Sequence, residues 1–218
     1  MLSLSFSKKA EETYRVLCLG SHCDDIEIGC GGTILKLIED YPRIEFYWVV
    51  FSSNEERAQE ALQSANLFLK EASRKQVIIK NFRDSFFPFV AVEIKEYFES
   101  LKQEITPDLI LTHYRQDLHL DHRLISELTW ATFRDHLILE YEIPKYEGDL
   151  GQPNFFVPLD KQYCQRKAQY ILSIFKTQQE KRWFSEDVFL SLARLRGIES
   201  NAPGKYAEAF YCRKLTFS

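Results

Sequence analysis

Residues 15–33 read RVLCLGSHCDDIEIGCGGT, and this stretch decides the fold. Its first seven residues are mostly apolar and end at small residues, which predicts a buried strand. The glycine-rich segment GCGGT (29–33) is interpreted as a turn that leads into a helix, because apolar residues then recur at spacings of three and four. A histidine and two adjacent aspartates therefore stand where a buried strand ends.

Strands and helices alternate along the rest of the first half. Further strands are predicted at 43–53, 76–82 and 107–114, and helices at 54–72 and 91–105, the first of these capped by Ser53 or Asn54. This alternation is typical of an α/β protein with a Rossmann-like, mainly parallel sheet and helices on both faces. Ligands of such sheets bind at the carboxyl ends of the strands, so a site is expected at that edge.

The second half of the chain is less regular. Residues 140–160 contain three of the seven prolines and are interpreted as a partly extended excursion. Helices follow at 161–179 and 185–199, and a last strand at 206–217. We expect one domain over residues 1–218, with a core at 13–139 and an irregular substrate-side elaboration at 140–218.

Composition limits the classes of partner. A formal net charge of −4 argues against a nucleic acid, because binding to phosphate backbones needs a strongly basic face. No apolar run approaches the roughly 20 residues of a membrane span, and the N-terminus lacks the features of a secretory signal. The five cysteines are scattered and are expected to be reduced, which favours a cytoplasmic protein. Hydrophobic surface on the second half would allow a homo-oligomer.

A second stretch, THYRQDLHLDHR (112–123), carries three of the five histidines. His22 and Asp25 are three residues apart at a strand end, and His119 and His122 are three apart at the start of a predicted helix. Two imidazoles and one carboxylate form a three-ligand set with an open position, which is typical of a catalytic zinc site. Any one histidine taken alone is more often structural.

Together these stretches carry a family resemblance. SHCDDIEIGCGGT (21–33) resembles the H-P-D-D…G-G motif of the LmbE/PIG-L family of zinc-dependent de-N-acetylases, and DLHLDHR (117–123) is similar to its H-x-D-H motif. RAQEALQSANLFL (57–69), FRDSFFP (82–88) and YAEAF (206–210) resemble further family segments in the same order. The resemblance therefore extends over nearly the whole chain.

The resemblance implies roles for individual residues. It implies His22, Asp25 and His122 as ligands of Zn²⁺, although such a set also binds other divalent ions. It implies Asp24 as the general base, and His119 as the group that stabilises the oxyanion and protonates the leaving amine. Asp121 would orient a histidine.

Substrate contacts are predicted at Arg57, Asp84 and Arg115. The alternative for Arg57 is an intrahelical pair with Glu60, and the alternative for Asp84 is a turn aspartate bonded to its own backbone. Arg115 is predicted to line the pocket together with Tyr141, Lys145 and Asn154, although the sequence gives no geometry for these four residues.

One position departs from the family pattern, since Cys23 replaces its proline. The side chain of Cys23 should point away from that of His22 if the chain stays extended, so we do not expect it to bind the metal.

These observations predict a zinc hydrolase that removes an acetyl group from an N-acetylated amino sugar or sugar conjugate. Two alternatives stay open: a zinc amidase acting on a non-sugar N-acyl compound, and a non-catalytic metal-binding protein. A dinucleotide-binding protein is the weakest alternative, because GCGG lacks the G-x-G-x-x-G spacing.

Overall fold

A computed structural model describes residues 12–216. Seven strands form one sheet in the order β3-β2-β1-β4-β5-β7-β6. The strands are β1 (Tyr14–Gly20), β2 (Ile44–Val50), β3 (Arg74–Ile79), β4 (Leu109–His113), β5 (Ile138–Tyr141), β6 (Phe155–Leu159) and β7 (Tyr206–Cys212). The first five run parallel, whereas β7 runs antiparallel to both β5 and β6. The predicted mainly parallel α/β sheet is confirmed.

Within residues 12–216, six α-helices cover the two faces of the sheet. They are α1 (Asp25–Asp40), α2 (Glu55–Phe68), α3 (Ala91–Glu104), α4 (Leu120–Thr132), α5 (Lys161–Ile174) and α6 (Glu186–Glu199). Strand β1 alternates between two apolar clusters: Val16 and Cys18 pack into the one covered by α1, α2, α5 and α6. Leu17 and Leu19 pack into the other, which α3 and α4 cover. Burial on both faces explains why β1 reads as a continuous apolar run.

The interpretation of the glycine-rich segment as a turn before a helix is wrong. Helix α1 already begins at Asp25, and the glycines lie inside it, around a break where Cys30 has φ −146° and ψ 16°. Close packing explains them, because a Cβ on Gly29 would overlap the ring of Tyr141. Helix propensity disfavours glycine, so the sequence pattern placed the helix start too late.

The second half is more ordered than the sequence suggested. Residues 140–160 contain the end of β5 and the whole of β6, and β6 and β7 extend the same sheet. The short length of these strands and Pro158 within β6 obscured them in the sequence. Within residues 12–216, no helix is long and apolar enough to cross a membrane.

Candidate metal centre and active site

The predicted site residues meet at the carboxyl edge of the sheet. His22, Asp24 and Asp25 follow β1, and His113 ends the neighbouring β4. His119 is the N-cap of α4, where its Nδ1 accepts the amide proton of Asp121 at 3.3 Å. Parallel pairing of β1 with β4 therefore brings together residues that are about a hundred positions apart.

Two imidazoles and one carboxylate converge in this cluster. His22 Nδ1 lies 3.1 Å from His122 Nε2 and 3.3 Å from Asp25 Oδ2. His122 Nε2 lies 3.5 Å from Asp25 Oδ1. All three side chains are buried. The three residues that the sequence predicted as ligands are thus close neighbours.

The outer nitrogen of each imidazole faces a carboxylate. Asp117 Oδ2 accepts from His122 Nδ1 at 3.0 Å, which leaves the lone pair of His122 Nε2 pointing inward. His22 Nε2 faces Asp84 Oδ1 at 3.2 Å and Asp121 Oδ2 at 3.4 Å, so its Nδ1 is left to point inward. Such carboxylate–histidine pairs orient metal ligands. With its inward proton released, His22 Nδ1 would join His122 Nε2 and the Asp25 carboxylate in a donor set that fits the divalent metal that the sequence implies.

Charges at Asp25 and His122 match this arrangement. Burial alone would raise the pKa of Asp25, but His122, His113 and His22 together hold it well below its usual range. Burial, reinforced by His113, lowers the pKa of His122 to about 3. An ionised carboxylate and a neutral imidazole are the forms that bind a metal. At His22, burial alone would lower the pKa, but Asp25, Asp121 and Asp84 raise it well above its usual value, so a metal would displace a proton from this ring.

His113 is a further histidine of the cluster. Its ring stacks on His122 with centroids 3.9 Å apart, and its Nε2 lies 3.2 Å from Asp25 Oδ2. That nitrogen also accepts the Ser21 amide proton at 2.9 Å, which occupies its lone pair. His113 therefore supports the cluster from behind. Among the residues that the structure describes, three sets of side chains bring their ligand atoms within 4.8 Å of one another: Asp25 with His113 and His122, His22 with His119 and His122, and His22 with Asp84 and Asp121.

Asp24 lies next to the proposed ligands and faces the same cleft. It caps α1 without a side-chain cap bond, and its Oδ1 accepts from Arg57 Nη2 at 2.8 Å. Burial raises the pKa of Asp24, although Arg57 opposes that shift. Arg57 therefore pairs with Asp24, whereas Glu60 accepts from Thr177 instead. The carboxylate is buried, polarised and positioned to accept a proton.

His119 has its ring orientation set by its capping bond. Because Nδ1 accepts an amide proton, the proton of the neutral ring is on Nε2. Burial, reinforced by the charge of His22, lowers the pKa of His119 and favours this neutral form. The ring lines the cleft and can donate a hydrogen bond into it.

The cleft above these groups is open to solvent and has a volume of about 180 Å³. Asp84 lines it and is half exposed, with Oδ1 accepting from Ser85 Oγ as well as facing His22. Arg115 is exposed and does not line the cleft; its amide donates to Glu140. The buried Cys23 thiol donates to the Ser52 carbonyl at 3.3 Å, away from the cleft, and burial raises its pKa to about 12.

The sequence predicted one residue of the outer wall of the cleft, Lys145, whereas Tyr141 and Asn154, which were predicted with it, do not line the cleft. This wall comes from two irregular segments, after β5 and after α5, and comprises Ile143, Lys145, Tyr146, Glu147, Lys181 and Trp183. Asp117 was also missed as a partner of His122, although it lies in the histidine-rich stretch. It accepts from Lys145 at 3.0 Å, which ties the cluster to this wall.

Fold and site together define a mainly parallel α/β protein with buried histidines and aspartates at the carboxyl edge of its sheet. A sequence profile described as "PIG-L: GlcNAc-PI de-N-acetylase" matches residues 17–133, which is more than half of the chain. The chain belongs to this family. No curated protein sequence matches it significantly.

Solved structures share the fold at low sequence identity. N,N′-diacetylchitobiose deacetylase from Pyrococcus horikoshii is 20% identical with a TM-score of 0.66, over 93% of this chain and 84% of that one. A deacetylase of teicoplanin biosynthesis is 15% identical with a TM-score of 0.68, over 91% of this chain and 97% of that one. The hydratase GalB from Pseudomonas putida is 15% identical with a TM-score of 0.76, over 94% of this chain and 98% of that one. At these identities the likeness concerns the fold alone.

Proposed function

We propose that this protein is a metal-dependent hydrolase that removes an acetyl group from an N-acetylated amino sugar or sugar conjugate, with Zn²⁺ as the metal. The observation that carries the proposal is the convergence of His22, Asp25 and His122, with Asp24 beside them in the same cleft. Family membership and the deacetylases among the structures of similar fold support it. The five free thiols favour action in the cytoplasm.

Amide hydrolysis needs an activated water, a stabilised oxyanion and a proton for the departing amine. A divalent cation bound by His22, Asp25 and His122 would supply Lewis-acid polarisation of the carbonyl and activation of the water. Asp24 accepts the proton of the attacking water, and Arg57 holds its carboxylate in place.

The remaining residues act on the acetyl group and the sugar. His119 donates a hydrogen bond from Nε2 to the carbonyl oxygen, and the proton that Asp24 has taken from the water passes to the departing nitrogen. Asp117 and Asp121 fix the rings of His122 and His22. Asp84, half exposed in the cleft, is placed to accept hydrogen bonds from sugar hydroxyls.

The test is release of primary amine from a panel of N-acetylated compounds by the zinc-loaded protein. The panel pairs N-acetylglucosamine and its glycosides with N-acetyl amino acids. We expect turnover of the sugars by the wild type, and turnover about 100- to 10,000-fold slower with Asp24→Asn. Turnover of the amino acids alone would favour the non-sugar amidase. A zinc-loaded protein inactive on every compound would contradict the proposal.

A further inference from the structure

Helix α1, which carries Asp25 at its start, is broken in its middle. In a regular helix the amide of Gly32 would donate to the carbonyl of Ile28. Here the Gly32 amide donates to Glu208 Oε1 at 2.9 Å, and the Thr33 amide donates to Glu208 Oε2 at 2.6 Å. The Ile28 carbonyl accepts from Lys167 Nζ at 2.6 Å.

Lys167 and Glu208 also bind each other, with Nζ and Oε1 2.7 Å apart. Each is more than nine-tenths buried, so solvent screens the attraction between the two charges only weakly. The ion pair thus stands between the two halves of a broken helix, giving a cation to the carbonyl and an anion to the amides. These are the signs of charge that each helix end favours.

The glycines of the break make room for this pair. A Cβ on Gly32 would lie 3.0 Å from Glu208 Oε1, and a Cβ on Gly31 would lie 2.7 Å from the ring of Phe68 and 3.4 Å from Lys167 Cγ. Two sequence motifs distant in the chain, GCGGT (29–33) and YAEAF (206–210), therefore form one structural unit together with α5.

The metal-bearing part of α1 depends on that unit. The first segment, residues 25–29, is little more than one turn, and helices this short are unstable alone. Its start carries Asp25, with Asp24 as the cap. Contacts that hold the end of this segment at Gly29 therefore also set the distances of the Asp24 and Asp25 carboxylates from His122 on α4.

We propose that Lys167 and Glu208 are positioning residues that keep the carboxylates of Asp24 and Asp25 at fixed distances from His22 and His122. The inference rests on the proposed function, because it assumes a metal bound by Asp25, His22 and His122. The ion pair touches neither substrate nor metal and acts only through the break in α1.

The test compares Co²⁺ binding by the wild type with that of Lys167→Met/Glu208→Gln. The double variant leaves no unpaired buried charge, which avoids the large penalty of removing one partner. We expect cobalt affinity to fall about tenfold, the size of effect typical for groups behind metal ligands. We also expect the visible absorption spectrum of bound Co²⁺ to change.

The matched control is Glu142→Gln/Arg196→Met, which removes another buried ion pair, 2.8 Å long, that makes no bond to α1. It should destabilise the fold yet leave cobalt affinity and spectrum unchanged. Cobalt binding equally unchanged in the Lys167/Glu208 variant would reduce that pair to a purely structural role and overturn the proposal.

Amide hydrogen exchange separates this inference from the proposed function. Residues 24–28 should exchange faster in the Lys167/Glu208 variant and at the wild-type rate in the control. If the wild type binds no cobalt, the proposed function fails, and exchange alone then decides whether the pair holds the metal-bearing turn. Unchanged exchange at 24–28 would overturn the inference.

Discussion

At the residue scale, Asp24 is distinguished from Asp25 by its partners. Asp25 faces three imidazoles, which keep it ionised, whereas the Asp24 carboxylate accepts from Arg57 and lines the cleft. The two adjacent aspartates are therefore suited to different tasks: one to bind a cation and the other to exchange a proton.

Asp24→Asn tests this division. The amide keeps the shape of the side chain but cannot accept the proton of water, so kcat should fall by about 100- to 10,000-fold. Metal content should stay at the wild-type level because the substitution removes no ligand. Steady-state kinetics beside metal analysis checks both, and a variant of near wild-type rate would remove Asp24 from the role of base.

His119→Ala separates the two histidines of the H-x-D-H motif. In the proposed mechanism His119 donates to substrate and His122 binds the metal, so the variant should lose at least about tenfold in kcat while retaining metal. His122→Ala is the matched comparison and should lose the metal. If metal disappears from the His119 variant instead, the two roles have been exchanged.

The meeting of these residues could be predicted from sequence because the motifs put rare chemical types at strand ends. Asp84 and Arg57 were predicted to contact substrate, and the structure places both along the cleft. Arg115 does not line it. Neighbours in sequence of a site residue can face away from the site, since the chain turns sharply after β4.

At the element scale, periodicity predicted most strands and helices, and Asn54 is the cap of α2, accepting from the Arg57 amide. It failed at the start of α1, because ion-pair contacts from α5 and β7 stabilise a glycine-rich helix that local propensity disfavours. Long-range contacts of this kind leave no local pattern.

Gly29→Ala tests the packing of α1 against the sheet. The new methyl group would overlap the ring of Tyr141, which is fully buried and donates to the Leu19 carbonyl. Overpacking of this kind should reduce the free energy of unfolding by about 1–3 kcal/mol. Thermal or urea denaturation measures it.

The double variant Gly29→Ala/Tyr141→Leu provides the control. If the methyl group of the alanine clashes only with Tyr141, the double variant should lose less free energy of unfolding than the two single variants lose together. If the two losses of unfolding free energy simply add, the alanine destabilises the protein through a contact other than the one with Tyr141.

At the scale of the whole molecule, the sequence predicted the parallel core but not the complete strand order. The antiparallel pairs of β7 with β5 and β6 follow from contacts between distant segments. The same is true of the outer wall of the cleft, which two irregular segments build together. The outer wall of the cleft therefore belongs to the part of the fold that local patterns describe least.

Metal binding should also stabilise the whole fold, because the proposed ligands come from α1 and α4 and the strand end before α1. A ligand that binds only the folded state at about 100 times its Kd adds about 2.7 kcal/mol. We expect chelation to lower Tm by several degrees and added Zn²⁺ to restore it. An identical Tm with and without chelator would argue against a site that spans these elements.

The most direct test of the central claim is the metal content of the purified protein, measured beside Asp25→Ala and Asp40→Ala. Asp40 is an acidic residue at the far end of α1, paired with Lys36, and serves as the control. We predict one zinc per chain in the wild type and in Asp40→Ala, and none in Asp25→Ala. Zinc retained in Asp25→Ala, or a wild type that binds no divalent metal, would contradict the account.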